Sequence, residues 1–483
     1  MSTAAMPRAF AVWFKDLERW DVKFFSSNLI SVFPLEPLAN FIREHNERVN
    51  LFEYPEEKFR ILGVNNVDGI FLAYDTLGSR INQPYKKVSA KDFAYNPYRV
   101  NVGSIGLAPK ELAGNYISPA YVVFSVDETK LLPEYLNLIL KADWYNKTLR
   151  ATTAGSVRQN LTFELLGTLK IPSPPLPVQQ KIVNYWKEGQ EKICQKKKTI
   201  DDIKSVIEKY FFDALGLKYL KNKTLAKCFT MQWADIVRWG VNHNQMKLIS
   251  SDLTKGKYPV VKLGSILERM QYGTSEKASN TQLGTPILRI KNIKNGTIDY
   301  SDLKYIKLPQ KSEQGLLLNK GDILIIRTSG SRELVGTCAT FDKEDNFVYA
   351  SYLIRLCIDY KKAIPEYTTF FVTSPVGRQQ VLSSSRHIMQ NNINTQEISE
   401  LNIVLPPLNV QKEIMRHIFE KQKQMQKTKK EITECEQNLK KKIEAIILGR
   451  KKIEEIINGG KEEKQDKGDC SGVCRKGKRA DGK

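Results

Sequence analysis

Apolar positions in residues 179–215 fall at helical spacing. With Trp186 at heptad position a, the later a positions are Ile193, Ile200, Ile207 and Ala214, and the d positions hold Ile182, Gly189, Lys196, Ile203 and Tyr210. From residue 411 towards 457 the same reading puts Ile418, Met425, Ile432, Leu439 and Ile446 at a, with Ile414, Lys421, Thr428, Cys435 and Lys442 at d. A complete a stripe beside mixed d positions predicts two long helices that share a narrow apolar seam and keep the rest of their surface polar. At a rise of about 1.5 Å per residue, the 37 residues of the first would span roughly 55 Å. Gly216 and Gly449 mark plausible ends.

Ahead of each helical run the period shortens. Residues 121–126, 286–290, 322–327 and 352–356 read as strands, separated by turn signals such as Gly63, Gly69, Gly78, Gly103 and Gly106. Residues 133–149 read as one helix, with Pro133 in its first turn and a stripe of Tyr135, Leu136, Ile139, Leu140 and Trp144. The expected class is α+β, with more strand than helix in the mixed regions.

The two halves repeat. Pro133-Glu134-Tyr135 recurs as Pro365-Glu366-Tyr367, Asn160 as Asn392, Leu169 as Leu401, Pro174-Pro175-Leu176 as Pro406-Pro407-Leu408 and Ile182 as Ile414, each displaced by 232 positions. With small changes of offset, Arg19-Trp20 answers Arg238-Trp239, and Phe33-Pro34-Leu35 answers Tyr258-Pro259-Val260. A shared frame with divergent inserts is the pattern of a tandem duplication whose copies have different targets. The boundaries follow: a lead-in (1–32), a mixed domain (33–178), a long helix (179–217), a connector (218–257), a second mixed domain (258–410), a second long helix (411–458) and a polar tail (459–483) expected to be disordered.

Composition adds a partner class. Lys and Arg number 75 against 53 Asp and Glu, a net charge of +22, which favours a polyanion; nucleic acid comes before membrane because no apolar run is long enough to span a bilayer. The first 25 residues interrupt their apolar positions with charges and lack a signal-peptide core, so a cytoplasmic location is expected. Seven scattered cysteines suggest neither a disulfide framework nor a zinc site.

Catalytic signatures are fragmentary. Residues 472–478 have phosphate-loop spacing, but Arg479 stands where Ser or Thr would meet magnesium. Asn96-Pro97-Tyr98 is an incomplete methyltransferase motif, and Glu128-Thr129-Lys130 is a nuclease fragment without an upstream metal-binding Asp. His45, His243, His387 and His417 have no ligand spacing. No catalytic residue, cofactor or metal is therefore assigned to this chain. Nucleic-acid signals are stronger: Arg158, Gln159 and Asn160 in the first half and Arg386, Gln390, Asn391 and Asn392 in the second occupy equivalent polar loops, and Arg, Asn and Gln are the side chains that read base edges. Lys86, Lys87 and Arg99, and Arg289, Lys291, Arg327 and Arg332, are further candidates for phosphate or base contacts. Polar loop residues also cap helices and close turns, and basic side chains are often simply solvated.

These residues carry a family resemblance. The Arg-Trp lead-ins, the domain openings at Phe33 and Tyr258, the segment Gly321-Asp322-Ile323-Leu324, and Pro-Pro-Leu-x-x-Gln before each long helix (Gln179, Gln411) make the chain similar to specificity (S) subunits of type I restriction-modification systems. In the first half an equivalent of Gly321-Asp322 is not evident. The resemblance implies two target recognition domains on two antiparallel coiled-coil helices in a pseudo-two-fold repeat. Each domain would read one half of a split, asymmetric site in double-stranded DNA. It also implies docking of two methyltransferase subunits that bind S-adenosylmethionine, and restriction subunits that use ATP and Mg. The rival readings are a noncatalytic coiled-coil protein adapter and a divergent DNA methyltransferase or nuclease with a fused reader.

Overall fold

The computed structural model describes residues 31–66, 68–99, 103–153, 160–218, 230, 233, 253–384, 386–387 and 391–455. The Arg19-Trp20 and Arg238-Trp239 pairs and the polar tail lie outside these residues. The chain forms two compact units, residues 1–196 with 431–483, and residues 197–430.

In the first unit a four-stranded antiparallel sheet runs in the order Ile42–His45, Val122–Val126, Phe93–Tyr95, Ile105–Leu107. Phe93 and Phe124 stack at 5.1 Å and, with Tyr95, are fully buried. A five-stranded sheet holds Arg48–Val49, Tyr85–Lys87, Tyr116–Ile117, Lys58–Asn65 and Gly69–Leu77. Leu35–Pro37 pairs with Lys170–Pro172 and so anchors the domain opening beside the entry to the long helix.

The second unit has its own four-stranded antiparallel sheet, Leu267–Tyr272, Leu353–Ile358, Ile323–Ile326, Cys338–Thr340. In chain order the strands of both sheets run first, fourth, second, third. Ile323 to Ile326 are all buried, because this central strand is covered on both faces, and its continuous apolar run follows from that. Val260–Lys262 pairs with Asn402–Val404, as Leu35–Pro37 does with Lys170–Pro172.

The shared strand order places a counterpart of the Gly321-Asp322 segment in the first unit, at Lys91-Asp92. Gly321 has φ +93°, and Asp322 accepts the Asn319 backbone N–H at 2.6 Å. In the first unit Lys91 has φ +66°, and Asp92 accepts the Ser89 backbone N–H at 2.7 Å. Lys91 thus stands in a left-handed position where glycine is favoured. It forms an exposed ion pair with Glu128. Lys91→Gly should raise the stability of the first unit by about 1 kcal/mol, because relief of backbone strain outweighs an exposed ion pair worth less. Urea denaturation checks this, and a net loss of stability would overturn the strain argument.

Residues 133–149 do not form a single helix. Pro133–Leu140 ends at Lys141, whose N–H donates to the carbonyls of Asn137 and Ile139, and Asp143–Thr153 begins anew. The break shifts the apolar phase by one residue, so Tyr145 is fully buried rather than Trp144. The second unit breaks at the equivalent place, between Pro365–Thr373 and Pro375–Ser384, where a proline marks it.

Each long helix starts three residues before the predicted position, at Leu176–Leu215 and Leu408–Ile447. The second ends well short of residue 458. Gly216 (φ +70°) and Gly449 (φ +68°) follow the two ends, and the Leu217 N–H donates to the Phe212 carbonyl at 2.9 Å. Within the first unit the two helical segments run antiparallel: a Cβ on Gly189 would come within 2.7 Å of the Leu439 methyls, and Lys196 pairs with Glu431 at 2.5 Å. Two of the irregular d positions are thereby accounted for, one as a hole and one as an ion pair. Within the second unit Ile203, Ile207 and Phe211 join Ile414 and Ile418 in one core, and the Tyr210 and His417 rings lie 4.0 Å apart.

Candidate nucleic-acid interface

Two sets of residues separated in sequence meet in the second unit. Thr328–Ser329 continues the chain from the central strand and pairs with Asn391–Asn392, which pairs in turn with Arg386–His387. The Ile393 N–H donates to the Arg327 carbonyl at 2.8 Å. The polar loop and the basic segment containing Arg327 and Arg332 therefore form one surface feature. Gln390 lies outside the described residues, and Arg386 and Asn391 are described by their backbone. Arg332 donates to the Leu382 carbonyl at 3.3 Å, tying its own loop to the helix that leads into the hairpin. Asn392 is half-buried, and its Oδ1 is enclosed without a hydrogen-bond partner among the described residues.

The first unit repeats this meeting. The Leu161 N–H donates to the Pro97 carbonyl at 3.1 Å, and the buried Tyr95 hydroxyl donates to the Leu161 carbonyl at 3.1 Å. Asn160 is thereby set beside the turn that carries the exposed Arg99. Its Oδ1 is enclosed and unpartnered among the described residues, like that of Asn392 232 positions later. Arg158 and Gln159 lie outside the described residues. Asn96-Pro97-Tyr98 belongs to this turn, with Tyr98 largely exposed.

The remaining basic candidates sit elsewhere. Lys86 is buried in the five-stranded sheet 3.7 Å from Glu44; burial pulls its pKa below the usual lysine value, partly opposed by the Glu44 charge. Its neighbour Lys87 is exposed on the same strand. Arg289 donates to the Asp302 carbonyl at 3.0 Å, and Lys291 bonds to the Asp302 carboxylate, which that contact holds below the usual carboxylate range. The Glu128 fragment is likewise engaged: Glu128 pairs with Lys91, and Lys130 with Asp127 at 3.3 Å.

Exposed aromatic residues beside the second unit's hairpin carry no sequence signal. Tyr272 ends the strand Leu267–Tyr272 with 41% of its surface exposed, and its ring lies 4.8 Å from the Arg327 guanidinium carbon. Tyr352 is 55% exposed and accepts the Arg327 backbone N–H at 3.0 Å. Among the described residues no group of three or more His, Cys, Asp and Glu could hold a metal ion, and no helix is long and apolar enough to cross a membrane. Arg, Asn, Ser and Thr presented on loops from a rigid sheet suit the recognition of phosphates and base edges.

The model of the type I restriction modification DNA specificity domain matches residues 82–205 and 255–441. The specificity subunit of the type I restriction enzyme EcoKI of Escherichia coli (strain K12) is 25% identical over 281 residues, 58% of this chain and 56% of that one. The StySPI specificity subunit of Salmonella potsdam is 26% identical over 293 residues, 60% of this chain and 58% of its own. The matched region thus spans a little over half the length of these relatives. A solved structure described as showing complex assembly and conformational transition of the type I R-M system aligns with 87% of this chain and 98% of its own at a TM-score of 0.53 and 16% identity, a likeness of fold. The chain belongs to the family defined by the type I restriction modification DNA specificity domain.

Proposed function

We propose that this chain is the noncatalytic, sequence-specific DNA-binding subunit of a type I restriction-modification complex. Each mixed domain reads one half of a bipartite, asymmetric site in double-stranded DNA. The observation that carries this reading is the junction found in both units, where the polar loop ahead of the long helix is hydrogen-bonded to the turn bearing Arg99 or the segment bearing Arg327. The equivalent placement follows from a pseudo-two-fold repeat, supported by Gln179 and Gln411, which make the same three hydrogen bonds 232 positions apart.

The long helices act as a coiled-coil spacer and as the docking surface for two methyltransferase subunits. An apolar opening supports protein docking: Phe419, 48% exposed, lines a groove of about 590 Å³ with Ile364, Met415, Arg416 and Lys423. S-adenosylmethionine, ATP and Mg belong to the methyltransferase and restriction partners, and the complex works in the cytoplasm.

The test is to co-express the chain with its modification subunit in a methylation-free host and map 6-methyladenine across the genome. A split motif with a fixed gap is expected. Replacing Arg158, Gln159 and Asn160 together should alter or abolish one half of that motif and spare the other. Equal loss at both halves with the fold intact would count against separate reading. A stable complex that methylates no defined motif would favour a protein adapter.

A further inference from the structure

We propose that Tyr272 is a positioning residue that pre-orients Arg327 as a direct base reader of the second unit, its target a guanine edge. The proposal rests on the DNA-reading assignment above. Arg327 leaves the buried central strand with its backbone clamped on both sides: its N–H donates to the Tyr352 carbonyl at 3.0 Å, and its carbonyl accepts the Ile393 N–H at 2.8 Å. The side chain therefore starts from a fixed point between the sheet and the polar hairpin.

How the guanidinium is held distinguishes Arg327 from its neighbours. Arg289, Arg332 and Arg378 donate to backbone carbonyls, and Arg355 to Asp322 and a carbonyl. Arg327 instead lies over the Tyr272 ring at 4.8 Å, within cation–π range, with Nε enclosed and its side chain making no hydrogen bond among the described residues. The ring contact engages the charge of the guanidinium rather than its N–H groups, so the terminal pair of donors is left for a ligand with two acceptors in one plane. In the major groove, O6 and N7 of guanine present such a pair. The ring contact also restrains the side chain before DNA arrives, so less entropy is lost on binding. Tyr272 is itself fixed, because its strand pairs it with Ile354, and the next residue, Gly273, runs so close to the Tyr349 and Ala350 carbonyls that a Cβ would meet them at 2.3 and 2.5 Å.

The experiment selects duplexes from a randomised DNA pool with the complex of this chain and its modification subunits, comparing wild type, Tyr272→Phe, Tyr272→Leu and Arg327→Lys. Tyr272→Phe retains the ring and should leave the selected motif unchanged. Tyr272→Leu should relax preference for one guanine of the second half-site about fivefold, and Arg327→Lys should relax the same position by roughly 10-fold or more, since an ammonium lacks the planar fork. The first half-site should be unaffected in all variants, a readout that a general folding defect would not produce. Uniform weakening across all sequences, with a salt slope reduced by about one, would make Arg327 a phosphate contact and overturn the proposal. An unchanged motif with Tyr272→Leu, while Arg327→Lys relaxes it, would remove the positioning role. Failure of the wild-type complex to select any motif would reject the DNA-reading assignment itself, a result distinct from the other two.

Discussion

Asp322→Ala is expected to destabilise the second unit by about 3–5 kcal/mol. Arg355 Nη2 meets Asp322 Oδ2 at 2.6 Å, and both side chains are only 6% exposed. Arg355 Nη1 donates to the Leu317 carbonyl at 2.9 Å, while the same Asp322 oxygen accepts the Asn319 N–H. Removing the carboxylate leaves a buried guanidinium without an ion-pair partner among the described residues, where its Nε already has no hydrogen-bond partner. The penalty arises from the orphaned cation, so Asp322→Ala with Arg355→Met should be more stable than Asp322→Ala alone. Urea denaturation of the three variants decides, urea being chosen because it does not screen charge. A cost below about 1 kcal/mol for the single variant, or no recovery in the double, would sink this account. The strand Ile323–Ile326 that follows Asp322 leads directly into Arg327 and the polar hairpin.

Much of this frame was legible in the chain because it rests on hydrophobic periodicity and on short segments that recur along the sequence. Of the a positions read in the first long helix, Ile193, Ile200 and Ile207 are buried, and the glycines after both helices adopt the left-handed conformation. The missing counterpart of Gly321-Asp322 was hidden because Lys91 occupies the position whose usual mark is glycine. The broken helix after Pro133 was readable only from the similar segment after Pro365, where Pro375 marks the break that Asp143 does not. At the candidate interface the polar loops could be located, but not the residues that join them. Arg327 and Asn392 are brought together by strand pairing across more than sixty positions, and no local pattern encodes that. The same limit applies to Lys86 and Arg289: basic residues near strand ends look alike in sequence, whereas Glu44 and Asp302 engage these two. Tyr272 carries no sequence signal because its importance lies in what its ring touches.

Gln411→Glu is expected to cost the second unit about 3–5 kcal/mol at pH 8 and less at pH 5, and Gln179→Glu should do the same to the first. Both glutamines are fully buried. Gln411 Oε1 accepts the Ile364 N–H at 3.0 Å, and Nε2 donates to the Lys362 and Pro406 carbonyls at 3.1 and 2.8 Å. Gln179 does likewise with the Leu132 N–H and the Lys130 and Pro174 carbonyls, at 2.8, 3.1 and 2.8 Å. Only an amide supplies both an acceptor and two donors at that point; a carboxylate would turn an oxygen towards two carbonyls. A buried carboxyl there binds its proton more tightly in the folded state, so its pKa rises above the unfolded value of about 4.3 and stability falls as pH climbs through that raised value. Denaturation at the two pH values tests the sign, and a cost independent of pH would contradict it. The last Gln of Pro-Pro-Leu-x-x-Gln thus fixes the first turn of a long helix to the helix opening at Pro133 or Pro365, within one unit. If each domain reads its own half-site, Gln179→Glu and Gln411→Glu should weaken opposite halves of the methylation motif, because each loosens the mounting of one reader and leaves the other untouched.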